Sequence, residues 1–159
     1  MDAYIKQAKQ IIAENIYMTI STASLDGKPW ISPVFFAYDE SYNLYWVSNK
    51  DARHSLLIRI NPQVAIVVFT PQAPEGEGEG VYFECKVKEL ENEADVTGAM
   101  EIMGKRVQKD EFRVKKIEEV IGSGVWRIYK ATPRKVSILA DGEYINGQYV
   151  DKRVEINLN

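Results

Sequence analysis

Cysteine and histidine are almost absent from this sequence, with Cys85 and His54 the only representatives. One cysteine excludes an intramolecular disulfide and any cysteine-rich zinc site. One histidine excludes a metal centre built from several imidazoles, and a Ser-His-Asp triad would have to use His54. Long apolar runs are lacking as well. None approaches the roughly 20 residues needed to cross a bilayer as a helix, and the opening stretch Met1 to Gln10 is polar and charged rather than signal-like. The expectation is therefore a cytoplasmic chain with no membrane partner. Nor is there an excess of positive charge: 20 Lys and Arg against 23 Asp and Glu give a net charge of -3. That balance argues against a nucleic-acid partner, so any anion site must be local. These absences favour either a borrowed cofactor or a binding function.

What is present is enough for one well-cored domain, with 159 residues of which 45% are hydrophobic and 11% aromatic. Residues 2–14 read as an amphipathic helix: Ile5, Ala8, Ile11 and Ile12 share a face, and Asp2 is placed to cap it. From Tyr17 the period becomes two, and the run ends at Asp26-Gly27, a hairpin signal. A return strand over Trp30 to Tyr38, interrupted by Pro33, and a third over Asn43 to Ser48 follow. Asp51 is the expected cap of a short helix over 52–60 that Asn61-Pro62 closes. A strand over 64–70 leads into the Gly-Glu loop 71–80, read as a flexible rim. Strand 81–90 alternates cleanly, with Val81, Phe83, Cys85 and Val87 on one side. Helical spacing at Val96, Met100, Met103 and Val107 resumes at Phe112, Ile117, Val120 and Ile121 behind a cap at Asp110. Two further strands, 125–131 and 135–140, are separated by Thr132-Pro133, and the tail carries the turn signal Asn146-Gly147. Without repeats, and with local turns throughout, the pattern predicts an antiparallel barrel with a few helices.

The stretch most suggestive of chemistry is Asn49 to Ser55, at a strand end and on the first turn of a helix. Lys50, Arg53, His54 and Ser55 supply charge and hydrogen bonds beside unpaired helix amides, which suits a phosphate monoester. A plain solvated helix start is the competing reading, although basic residues there oppose the helix dipole. Ser32, Pro33 and Val34, with Val47 and Ser48 on the next strand, could line a planar heterocycle; core packing accounts for the neighbouring aromatics equally well. Cys85, on an apolar strand face, reads as an inert buried thiol. Trp126 beside Arg127 could fill the core or cover a ligand.

Several of these segments together resemble one family. Asp26-Gly27-Lys28-Pro29 leading into Ile31-Ser32-Pro33-Val34, then Leu44 to Ser48, Arg53-His54-Ser55 and Ile60 to Ala65 follow in an order and spacing similar to the pyridoxamine 5'-phosphate oxidase-like, FMN-binding split-barrel proteins. Gly80-Val81-Tyr82 and Thr132 to Val136 add to the match. The resemblance implies a mainly β (α+β) fold, a six-stranded antiparallel Greek-key split barrel with flanking helices over residues 1–142, while the Asn146-Gly147 turn signal makes 143–159 a C-terminal hairpin or arm. It also implies a homodimer with FMN in clefts at the subunit interface, and oxidoreductase activity on an unidentified small molecule. Carried over by position, Ser32, Pro33, Val34, Val47 and Ser48 would lie along the isoalloxazine ring. Arg53, His54 and Ser55 would hold the phosphate. Where similar proteins commonly have a lysine, this chain has His54, and it lacks the Arg- and His-bearing C-terminal segment with which pyridoxamine phosphate oxidases grip their substrate. Relatives of this fold that use F420 or haem, or bind a cofactor without catalysis, supply the alternatives.

Overall fold

Alternating apolar residues organise the computed structural model, which describes all 159 residues. Eight strands form one antiparallel sheet: β1 Tyr17–Ala23, β2 Pro29–Phe35, β3 Ala37–Tyr38, β4 Leu44–Asn49, β5 Gln63–Phe69, β6 Gly80–Glu89, β7 Trp126–Ile145 and β8 Gln148–Glu155. Their order is β2-β1-β5-β6-β7-β4-β3, with β8 on the second half of β7. The class is the expected mainly antiparallel split barrel, and the count exceeds six because a bend at Phe36 separates β3 from β2 and the tail adds β8. The inward residues of β1, β5 and β6, among them Met18, Ile20, Val64, Ile66, Phe83 and Cys85, form the barrel core. Helix α1, Asp2–Glu14, packs on β5, β6 and β7 through Ala8, Ile11 and Ile12. Asp2 does not cap it: the helix begins at Asp2 itself, behind Met1, with no side-chain cap.

A second, smaller core lies on the other face of β4 and β7, where α3, Glu93–Gly104, sets Val96, Ala99 and Met103 against Tyr45 and Ile128. Asn92 starts α3 by accepting from the Ala94 and Asp95 amides at 2.9 and 3.2 Å. The helix expected beyond Asp110 is replaced by two single 3-10 turns, Asp110–Phe112 and Ile117–Glu119. Val114, Ile117, Val120 and Ile121 still reach the second core. An extended Lys116 breaks the helical phase between the turns, however, and Phe112 is left in solvent.

Two other boundaries differ from the sequence pattern. Thr132-Pro133 does not separate strands, because β7 runs through it with a register shift opposite Glu84 and Cys85. That bulge accommodates a residue without an N–H to donate. The Asp26-Gly27 hairpin forms with a longer loop, closed by the Ser24 amide on the Lys28 carbonyl at 3.0 Å. Asn146-Gly147, both at positive φ, turns β7 into β8, after which Ile156 and Leu158 return to the barrel core.

Candidate functional site

The barrel is split along two strand edges. β2 pairs only with β1, and β3 pairs with β4 only at Tyr45 and Leu44, so Trp46 to Asn49 have β7 on one side and no strand on the other. β2 and β4 come into contact across this gap without pairing. Unpaired backbone N–H and C=O groups along such edges need partners and are a ready surface for a flat, polar-edged ligand.

The side chains predicted to line that ligand do not share a face. Ser32 and Val34 lie opposite Ile20 and Met18 and turn with them toward the barrel interior, whereas Pro33 lies opposite Thr19 and turns outward. What β2 offers the gap is therefore its backbone edge. On β4, Val47 faces the second core while Ser48 faces the other way.

Helix α2, Arg53–Ile60, starts at the end of this gap. Asp51 is not its cap. Ala52 occupies the cap position without a side-chain bond, and the turn is set instead by Asn49, whose Oδ1 accepts from the Asp51 amide at 2.8 Å. Ser55 is fully buried, and its hydroxyl donates to the Asn49 carbonyl at 2.8 Å, so it fastens the helix to β4 and does not face the gap. Lys50 is fixed through its amide, which donates to the Val125 carbonyl at 2.9 Å.

Arg53 and His54 open this helix, and no acidic residue is in its first turn. The Arg53 guanidinium lies over the Trp30 ring at 4.4 Å, and no ion pair of the structure includes it. His54 Nε2 and Ser48 Oγ are hydrogen-bonded at 2.8 Å, and burial lowers the imidazole pKa. A free guanidinium next to helix amides that lack acceptors is an electrostatic arrangement completed by an anion.

Behind the site lies a cluster that the sequence reading missed. Glu89 accepts from Arg59 Nε at 2.9 Å and from the Tyr129 hydroxyl at 3.2 Å, and it pairs with Arg127 at 3.3 Å. Arg127 in turn donates to the carbonyls of Gly122, Gly124 and Trp126. One carboxylate thus joins α2, which carries Arg53, to the loop that delivers Trp126. The signal was available, because Glu89 continues the odd-numbered face of Val81, Phe83, Cys85 and Val87.

Trp126 is 46% exposed and, with Val47, borders a groove of about 580 Å3. Tyr17, Phe35, Met103 and Phe112 complete its apolar walls. The ten predicted residues therefore divide into a basic end (Lys50, Arg53, His54, with Ser48 in support), a backbone edge (Ser32 to Val34), a groove side (Val47, Trp126) and the buried Ser55. No three His, Cys, Asp or Glu side chains gather in a metal-binding group.

Comparison with known proteins bears on this geometry. The family model of pyridoxamine 5'-phosphate oxidase matches residues 4–145. The chain belongs to the pyridoxamine 5'-phosphate oxidase family. No curated protein matches it. Among solved structures it is similar to HutZ, the haem storage protein of Vibrio cholerae, with 16% identity over 82% of this chain and 91% of that one, at TM-score 0.67. It is also similar to a FAD-binding protein of Mesorhizobium loti, with 17% identity over 84% and 91% and TM-score 0.61. A haem-binding protein of Mycobacterium smegmatis gives 14% identity over 95% of this chain and 57% of that one, with TM-score 0.69. Identities this low show a shared fold. No helix of this family member is long and apolar enough to cross a membrane.

Proposed function

We propose that this family member binds FMN and is a cytoplasmic oxidoreductase acting on a small molecule, with two copies of the chain completing the cofactor sites. The observation that carries the reading is the gap between the free edges of β2 and β4, ending at Arg53, a guanidinium without a carboxylate partner beside the amides of α2. The isoalloxazine ring would meet the β2 edge at Ser32 to Val34 and the β4 edge at Val47 and Ser48. The phosphate would meet Arg53, the first amides of α2, and His54, whose ring Ser48 orients, with Lys50 adding positive charge. Ser55 acts through the backbone of Asn49. FMN when bound supplies one- and two-electron transfer; the chain's own residues bind it, orient it and exclude water from it. The gap is open on a single copy, and exposed Trp30 and Ile31 beside it suit burial by a second.

Haem is the second reading, raised by the named structural neighbours, and the donor set here fits it poorly. His54 Nε2 is hydrogen-bonded to Ser48, which leaves Nδ1 alone as a nitrogen donor. Cys85 is buried in the barrel core, with its thiol pushed up to about 12 by desolvation. The absorbance spectrum of the purified protein separates flavin bands from a Soret band.

The decisive test is Arg53→Ala titrated with FMN and with riboflavin. Charge-assisted hydrogen bonds are worth about 1.5 to 3 kcal/mol each, so FMN affinity should fall roughly ten- to more than hundredfold while riboflavin changes little. Lys86→Ala, on the exposed face of β6, is the control. Equal losses for both ligands would remove Arg53 from the phosphate site.

A further inference from the structure

Tyr17, Phe35 and Phe112, which line the groove bordered by Val47 and Trp126, have no task in the flavin reading. Four aromatic rings, from Tyr17, Phe35, Phe112 and Trp126, meet around it. Phe112 is 71% and Tyr17 60% exposed. Large rings left in water around one concavity mark a binding surface, whereas single exposed apolar side chains do not. The groove's volume of about 580 Å3 falls in the range of small-molecule sites, roughly 300 to 1,000 Å3.

Its charges identify the class of occupant. Arg113 lines the groove, but its guanidinium is spent on the Gly104 carbonyl at 2.9 Å and on Asp110 at 3.4 Å. The Glu119 carboxylate accepts from the Lys116 amide at 3.0 Å. The charged lining residues, Lys109 and Arg113 against Glu111 and Glu119, balance in sign, so the groove has no net charge with which to select an ion.

We infer that the groove takes an uncharged aromatic molecule, held against the rings of Phe112 and Trp126. Its position next to the cofactor rests on the flavin reading, since Val47 and Trp126 border both; its chemistry rests on the groove alone. The probes are 2-naphthol and 2-naphthoate, which differ mainly in charge near neutral pH, titrated calorimetrically into the protein with and without FMN. 2-Naphthol should bind at least about tenfold more tightly than 2-naphthoate. Loss of one ring in Phe112→Ala or Trp126→Ala should weaken 2-naphthol roughly three- to tenfold. Phe112 is exposed, so its replacement leaves the fold intact. On the FMN-loaded protein, 2-naphthol should also perturb the flavin absorbance.

Equal or tighter binding of 2-naphthoate, or no loss in Phe112→Ala, overturns the proposal. A change in sedimenting mass in Phe112→Ala also overturns it, because the groove would then be a contact between copies. If 2-naphthol binds as expected and FMN does not bind at all, the flavin reading fails and the groove stands. FMN binding without 2-naphthol binding does the reverse.

Discussion

Replacing Glu89 tests whether one carboxylate holds both sides of the candidate site. In Glu89→Ala, Arg59 and Arg127 lose their shared partner and the largely buried Tyr129 hydroxyl loses its acceptor. Breaking a buried ion pair costs about 3 to 5 kcal/mol. The Glu89 side chain is 16% exposed and Arg59 more so, which moves the expectation to about 2 to 4 kcal/mol. Urea unfolding should show this as a lower midpoint at an unchanged m-value. For a chain of this size, Tm should fall by roughly 5 to 15 °C. Binding supplies the discriminating readout: Arg127 orders the carbonyls around Trp126, and Arg59 lies on the helix that carries Arg53, so FMN and riboflavin should weaken together. Glu89→Gln keeps the shape and one acceptor and should recover part of both losses. A stability change below about 0.5 kcal/mol with both affinities intact would refute the coupling.

Burial lowers the His54 pKa, so from the ordinary value near 6.5 downward the unfolded chain binds the proton more readily and acid removes stability. His54→Gln should therefore lose less stability than the parent between about pH 7.5 and pH 5, measured by urea unfolding. His54→Ala should cost more FMN affinity at about pH 6 than at about pH 8, because the imidazole helps the phosphate most when protonated. A Cβ at Gly124 would collide with the Glu118 and Glu119 carbonyl oxygens, so Gly124→Ala should destabilise by at least about 2 kcal/mol and loosen the loop before Trp126, read as a lower Tm. Sedimentation at micromolar concentration should give twice the 18.1 kDa chain mass, and a monomer that still binds FMN would refute the shared site.

Elements were legible wherever one period ran uninterrupted. The alternation of Val81 to Val87 and the apolar face of α1 were read correctly because each buries a single face against one partner. Pro133 was misread because proline usually ends a ladder, whereas a bulge lets β7 continue. Positions 117, 120 and 121 fit helical spacing, which a single 3-10 turn also satisfies, so the pattern alone could not fix the length. At the site, the cluster Lys50 to Ser55 was visible as residue types. That Ser55 faces inward and Asn49, not Asp51, shapes the turn depends on where β4 ends relative to the helix. The groove was invisible because Tyr17, Phe35, Phe112 and Trp126 meet only after distant segments have folded.

The length of β7 bears on how the chain acquires its fold. β1, β2, β5 and β6 pair among residues 17–89, yet β4 finds its long partner only in residues 126–131, beyond α3 and both 3-10 turns. Closing so distant a contact costs chain entropy before it is rewarded, which favours its forming after the more local pairings. Until it happens, β4 and β6 each display an unpaired edge, the kind of surface through which nascent chains aggregate. Insertion of β7 seals those edges and at the same moment brings Trp126 and Arg127 to the candidate site. Cofactor-binding competence should therefore arise abruptly, with the last stage of folding, rather than accumulate as the chain is synthesised.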